Sequence, residues 1–508
     1  MASVSLTDEQ RSAAECDAQN VTVMAGAGTG KTKTCEEYCL RRLERNPRES
    51  GVLFVYNSSA QRGIQERFRK HPRAELLSRV EVRTSHSVPF RKIGYKYADQ
   101  LISDLRAPEV KAVLPGESLS SVPADRLLAY CNAVAVCLKK WLCSASLEMD
   151  AEWVLEAMSP RERMFFAPAQ VLQDAEFIWK KMCDSKDTSI GMLHDGYLKM
   201  FQVQDIRLQY DFIVNDEAQD QAPVFTSLVT SEKQKDAIKF WVGDENQALY
   251  QWRGAQNALG SVPSDERFYL TNSWRFGTSV EFYANEVLAY KESVLRLNGR
   301  GRNVTEREAL LARSYTFVAA TNAGVFEHAA GLAEGKKVFF IGGIESYRLG
   351  KMIALERLAR GQRVESAYDP YLSLFSSFEE VEEFSTSVED VETLSCVRVV
   401  KRYGRKIPEL IERLRNSVVK EERKADVVLS TGHKIKGLEA PVVRLAEDFV
   451  SAFDEDGKIK PYDPDECERW NNLYVALTRG KAYIYPPQSL LDFIAVKRRE
   501  RELLRGAA

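Results

Sequence analysis

The sequence predicts an α/β protein with two parallel-sheet units, each interrupted by a mainly helical insertion. Three observations predict it. Short apolar, β-branched runs recur at 21–24, 52–55, 80–83, 210–215, 239–242 and 268–271, each leading into a polar cluster and, in most cases, a helix-favouring segment. A second set of such runs occupies 315–318, 338–341, 427–430, 442–445 and 482–485. Between Gly94 and Ile190, and again between Ser346 and Arg423, strand character gives way to helical periodicity. The expected division is 1–93 and 196–290 for the first unit around an insertion at 94–195. It is 291–344 and 425–508 for the second unit around a compact insertion at 345–424.

Polar clusters after successive parallel strands line one rim of an α/β sheet, where ligands bind. The most specific cluster is Ala25-Gly26-Ala27-Gly28-Thr29-Gly30-Lys31-Thr32, between the run Val21–Met24 and a helix-favouring stretch that continues to Arg45. Strand, glycine-rich turn and helix together make a phosphate cradle. Gly26, Gly28 and Gly30 let backbone N–H groups curl around an anion, and the helix N-terminus adds a positive dipole end. Lys31 would reach the β- and γ-phosphates, and the Thr32 hydroxyl would hold Mg²⁺. Ala25 stands where the pattern has glycine.

The remaining candidates follow in chain order. Thr7 reads as a helix N-cap with Gln10 three residues on; the Gln10 amide either completes that cap or reads an adenine edge. The run Tyr210–Asn215 ends in Asp216-Glu217-Ala218-Gln219-Asp220, the natural partner of a phosphate loop, with Asp216 for Mg²⁺ and Glu217 to activate water. Gln247 could sense a γ-phosphate. Tyr250, Trp252 and Arg253 form an aromatic and cationic cluster suited to stacking a single-stranded base, with Trp252 as a core residue the alternative. Arg275 at a strand end is a candidate clamp on a transferring phosphoryl group, and Trp274 could cover an adenine ring; a packed tryptophan beside a surface arginine is the alternative. Trp141, Trp153 and Trp179 read as core, and the basic stretch Lys497–Arg505 as a solvated helix face.

Composition excludes several classes. The chain has 508 residues, 44% hydrophobic and 28% charged, with a net charge of −2, so global charge points to no polyanion. Nine cysteines are scattered without a Cys-x-x-Cys pair, which favours a reduced intracellular chain over a zinc or disulfide framework. No secretory pattern opens the sequence, and no apolar run approaches the roughly 20 residues a membrane span needs. No membrane partner is expected.

In this order, Leu-Thr-Asp-Glu-Gln, the glycine-rich loop, Asp-Glu-Ala-Gln-Asp, Gly-Asp-Glu-Asn-Gln with Tyr-Gln-Trp-Arg-Gly-Ala, Trp-Arg-Phe-Gly, Thr-Gly-His-Lys-Ile-Lys-Gly-Leu-Glu and Tyr-Val-Ala-Leu-Thr-Arg span Leu6 to Arg479. The chain resembles the UvrD/Rep-like helicases of superfamily 1. Within that group it is similar to the F-box DNA helicases at His194–Lys199, Phe268–Thr271, Ile341–Ile344 and Ile407–Leu410. No F-box is expected before the core, so no ubiquitin-ligase partner is implied.

The resemblance implies two RecA-like cores with ATP in the cleft between them, and ATP-driven 3′-to-5′ movement on single-stranded DNA. A 3′-tailed duplex or fork is the implied substrate, in DNA repair or recombination. Arg479 would be the γ-phosphate finger from the second core, Gln10 and Trp274 would hold adenine, and Glu439 the ribose. Asn57, Thr84, His86, Trp252, Arg253 and His433 fall where the family touches DNA. Ser58, Ser273, Ile435, Ala440 and Arg469 depart from its pattern, which bears on DNA grip more than on hydrolysis. Two other readings stand beside the helicase. One is a DNA-stimulated translocase that strips recombinase filaments or other proteins from DNA. The other is a non-catalytic scaffold or RNA-binding module that binds nucleic acid and uses nucleotide only as a switch. The expected compartment is the nucleus in a eukaryote and the cytoplasm otherwise.

Overall fold

A computed structural model describes residues 6–249, 258–311, 314–366, 369–388 and 390–506. Its strands, in chain order, are β1 (Asn20–Ala25), β2 (Gly51–Val55), β3 (Val80–Thr84), β4 (Leu101–Ile102), β5 (Met192–Leu193), β6 (Phe212–Asn215), β7 (Ile238–Gly243), β8 (Glu266–Leu270), β9 (Asn272–Ser273), β10 (Asn298–Gly299), β11 (Tyr315–Ala319), β12 (Val338–Phe340), β13 (Val427–Thr431), β14 (Ala440–Leu445) and β15 (Gly480–Tyr485). Two parallel sheets carry the fold, with orders β3-β2-β6-β7-β1-β8 and β12-β13-β11-β14-β15. The protein is α/β with two RecA-like parallel-sheet cores.

Both faces of the first sheet are covered, which is why its strands read as unbroken apolar runs rather than alternating ones. Leu53 and Val55 point into one buried layer with Val21, Val23, Phe240 and Val242, capped by the helix Lys31–Arg45. Val52, Phe54, Ile213 and Trp241 point into the other, which runs on into the insertion. Tyr38 of the capping helix stacks on Phe240 at 3.9 Å between ring centroids.

Between β3 and β6 the chain leaves the sheet and builds helices, among them Leu127–Cys143, Pro168–Cys183 and His194–Val203. The stretch predicted to lack strands contains β4, which pairs with β5. Two residues per strand carry no period that a sequence could display. Trp141 is buried and meets Trp179 edge-on at 5.3 Å, as expected of a core pair. The helix after β11 runs Asn322–Ala330, and the Thr321 hydroxyl caps it by accepting from the Gly324 N–H at 3.0 Å.

The second insertion, between β12 and β13, packs against the first. Arg161 is buried at this contact, donating to the Leu374 carbonyl at 2.8 Å and pairing with Glu380. Its guanidinium lies 4.9 Å from the Phe165 ring centroid and 4.5 Å from that of Phe375. Among the described residues no helix is long and apolar enough to cross a membrane.

Candidate active site

The glycine-rich turn leaves β1 at Ala25 and enters the helix Lys31–Arg45. Gly28 and Gly30 have φ of 75° and 85°, in the left-handed region. A Cβ on Gly28 would sit 2.6 Å from the Ser273 hydroxyl, and one on Gly30 would sit 2.6 Å from the Gln10 amide nitrogen. Conformation and crowding therefore both require glycine here. Gln10 completes the capping box with Thr7, and its Nε2 donates to the Thr29 carbonyl at 3.1 Å. The cap is thus present, and the same amide braces the loop from behind.

Lys31 is 8% exposed, with Nζ 3.6 Å from Glu217 Oε2. The Thr32 hydroxyl donates to Asp216 Oδ2 at 2.6 Å. Burial, with the Glu217 charge second, pushes the Asp216 carboxyl up to about 7. Burial also pushes Glu217 up, but Lys31, a bond from Gln219, Lys436 and Arg479 together outweigh it and hold it below the usual range. Glu217 is therefore ionised at neutral pH and able to accept a proton. Its backbone sits at φ 53°, a left-handed strain for a non-glycine residue.

Two hard oxygen donors side by side, one a buried carboxylate destabilised by its own charge, fit Mg²⁺. Among the described residues there is no group of three or more His, Cys, Asp or Glu that could hold a metal, so phosphate and water oxygens would complete the shell. The cradle that a Cβ would fill fits a nucleotide phosphate.

The second core supplies the opposite wall. Arg479, just before β15, is 1% exposed, and its Nη2 donates to Gln247 Oε1 at 2.9 Å while Nε donates to the Val475 carbonyl. Burial, then the Arg275 charge, lowers its pKa to about 9, still charged at neutral pH. Arg275 donates from Nε to Glu439 at 2.7 Å and from Nη1 to the Thr478 carbonyl at 3.3 Å. Glu439 also faces Lys481 at 3.3 Å. Trp274 is 57% exposed at the mouth, its backbone N–H donating to the Gly28 carbonyl.

Several contacts were not visible as such in the sequence. Lys436, from the second core, donates to Asp220 Oδ1 and to the Gln247 carbonyl, both at 2.5 Å. Tyr474 lies between Asp244 and the Ala27 N–H. Gln219 donates to Glu217 at 2.8 Å and accepts from the Asp244 N–H. All these residues stood inside motifs, but their partners lie in other motifs far along the chain.

The proposed DNA-facing residues are dispersed over strand ends. Asn57 caps the helix Ser58–Lys70, accepting from the Ala60 N–H at 2.9 Å. Thr84 closes β3, and His86 Nε2 lies 2.8 Å from Asp195. His433 lies in the short helix Gly432–Ile435, 3.6 Å from Glu468. Tyr250, Trp252 and Arg253 lie outside the described residues.

A phosphate loop, an acidic strand end and an arginine from a second parallel-sheet core are gathered at one seam, the arrangement of a two-core P-loop fold. A family profile described as an AAA domain matches residues 10–253. The chain is 28% identical to F-box DNA helicase 1 of Gallus gallus, over 94% of this chain and 48% of that protein. It is 25% identical to F-box DNA helicase protein 1 of Schizosaccharomyces pombe, over 94% of this chain and 56% of that protein. With DNA helicase II of Escherichia coli it shares 26% identity over 56% of this chain and 40% of that protein. These matches support the resemblance to the UvrD/Rep-like proteins of superfamily 1. The chain spans about half the length, or less, of these curated relatives.

Proposed function

We propose that this chain is an ATP-dependent DNA helicase that moves 3′ to 5′ along single-stranded DNA, acting on 3′-tailed duplexes or forks in repair or recombination. The observation that carries the reading is the burial of Arg479 of the second core against Gln247 of the first, beside the phosphate loop. A terminal phosphate at Lys31 would be met by cations from both cores, so its binding favours the closed cleft and its loss reopens it. The two cores are taken as 1–93 with 196–290, and 291–344 with 425–508.

Lys31, Arg275 and Arg479 would neutralise charge on the γ-phosphoryl oxygens. Glu217, ionised and oriented by Gln219, would take the proton from the attacking water as the bond to the β–γ bridging oxygen breaks. Mg²⁺ on Thr32 and Asp216 would supply charge neutralisation between the β- and γ-phosphates. Trp274 at the open mouth and Gln10 behind the loop would flank adenine, and Glu439 the ribose. Asn57, Thr84, His86 and His433, with Tyr250, Trp252 and Arg253, would follow the strand, bases stacking at roughly 1–3 kcal/mol each, strong enough to hold and weak enough to release.

The test is ATP hydrolysis with and without single-stranded DNA or RNA, followed by strand displacement on duplexes with 3′ or 5′ tails. DNA-stimulated hydrolysis and displacement from the 3′ tail alone are expected, with both lost in Lys31→Ala. Stimulation without displacement would leave a translocase. No hydrolysis under either condition would overturn the enzyme reading.

A further inference from the structure

The helix Cys467–Leu477 of the second core delivers more than an arginine to the seam. Tyr474 is fully buried, and its hydroxyl has two partners on the first core. It accepts from the Ala27 N–H of the phosphate loop at 3.3 Å and donates to Asp244 Oδ2 at 3.3 Å. Asp244 Oδ2 also accepts from Gln247 Nε2 at 2.6 Å. A guanidinium only donates, so Arg479 fixes the Gln247 amide with its oxygen toward Arg479 and its nitrogen toward Asp244. One helix thus touches the phosphate loop through Tyr474, and the residue that follows it by five, Arg479, touches the same glutamine that Tyr474 orients through Asp244.

We propose that Tyr474 is a positioning residue that couples the phosphate loop to the Gln247–Arg479 pair, through Asp244. The inference rests on the ATPase reading above. When the loop rearranges around a phosphate, the Ala27 N–H shifts relative to the hydroxyl, and the change reaches Gln247 and Arg479 without passing through solvent. A tyrosine suits this place because its ring fills the buried seam while its one O–H both accepts and donates.

The test uses the full chain carrying Tyr474→Phe, which keeps the ring and removes the relay. ATP turnover is measured with and without poly(dT), beside thermal unfolding. The expected result is a DNA-stimulated kcat lowered roughly ten-fold, the scale of a lost bond to a charged group, with KM for ATP changed less than about two-fold and the unfolding midpoint nearly unchanged. In the double variant Tyr474→Phe/Gln247→Ala the two losses should not multiply, since both break one chain. A wild-type kcat in Tyr474→Phe, or multiplying losses, overturns the proposal. So does a kcat loss that tracks a fall in the unfolding midpoint. Wild-type protein that hydrolyses no ATP would instead overturn the functional reading on which it rests.

Discussion

Glu217 joins chemistry and strain in a single residue. Its φ of 53° costs a non-glycine side chain about 1–2 kcal/mol, held in place by Lys31 and Gln219. Glu217→Gln keeps the size and removes the proton acceptor, so turnover should vanish while fluorescent ATP still binds in an equilibrium titration. Glu217→Gly should be equally inactive yet no less stable than wild type in urea unfolding, because glycine relieves the strain as the ion pair is lost. Lys31→Ala should lower turnover by on the order of 10²- to 10³-fold or more, together with phosphate affinity. These residues were legible in the sequence because each motif is local: a strand, a turn and a helix, with chemistry at fixed offsets. The partnerships Lys436–Asp220 and Tyr474–Asp244 were not, since core docking creates them and no local period encodes them.

At the level of elements, the polar cluster after each parallel strand was the legible signal, because apolar runs buried on both faces stand out from their surroundings. The pair β4–β5 was too short to stand out. In the second core, the helix Asn322–Ala330 carries His328, stacked on Phe317 of β11 at 3.6 Å and 3.1 Å from the Tyr315 hydroxyl. Burial, with the Arg444 charge second, lowers the ring's pKa from 6.5 to about 4. A neutral ring is what this packing stabilises, so its contribution is complete above pH 6.5. It declines as pH falls from 6.5 toward 4, where the unfolded chain takes up a proton that the folded one refuses. His328→Gln should flatten that part of the profile in urea unfolding at pH 7 and pH 5.

Across the whole molecule, the two insertions meet at Arg161, which reaches from the first to the second. Arg161→Ala empties the space between Phe165 and Phe375 and removes a partner from Glu380, which is itself one-third exposed. A loss of about 2 kcal/mol is expected, discounted for that exposure. Hydrogen exchange should rise together in the segments Pro160–Phe165 and Phe378–Ser387, on both sides of the contact. The contact joins residues more than 200 positions apart, so composition and periodicity were silent about it. At the candidate site, Arg275 and Glu439 meet across the two cores, the carboxylate partly solvated and shared with Lys481. On the proposed reading, nucleotide exchange at this rim parts the pair, and mobile ions weaken a partly solvated attraction. Raising ionic strength should therefore quicken nucleotide exchange in a stopped-flow trace, and Glu439→Gln should erase that acceleration.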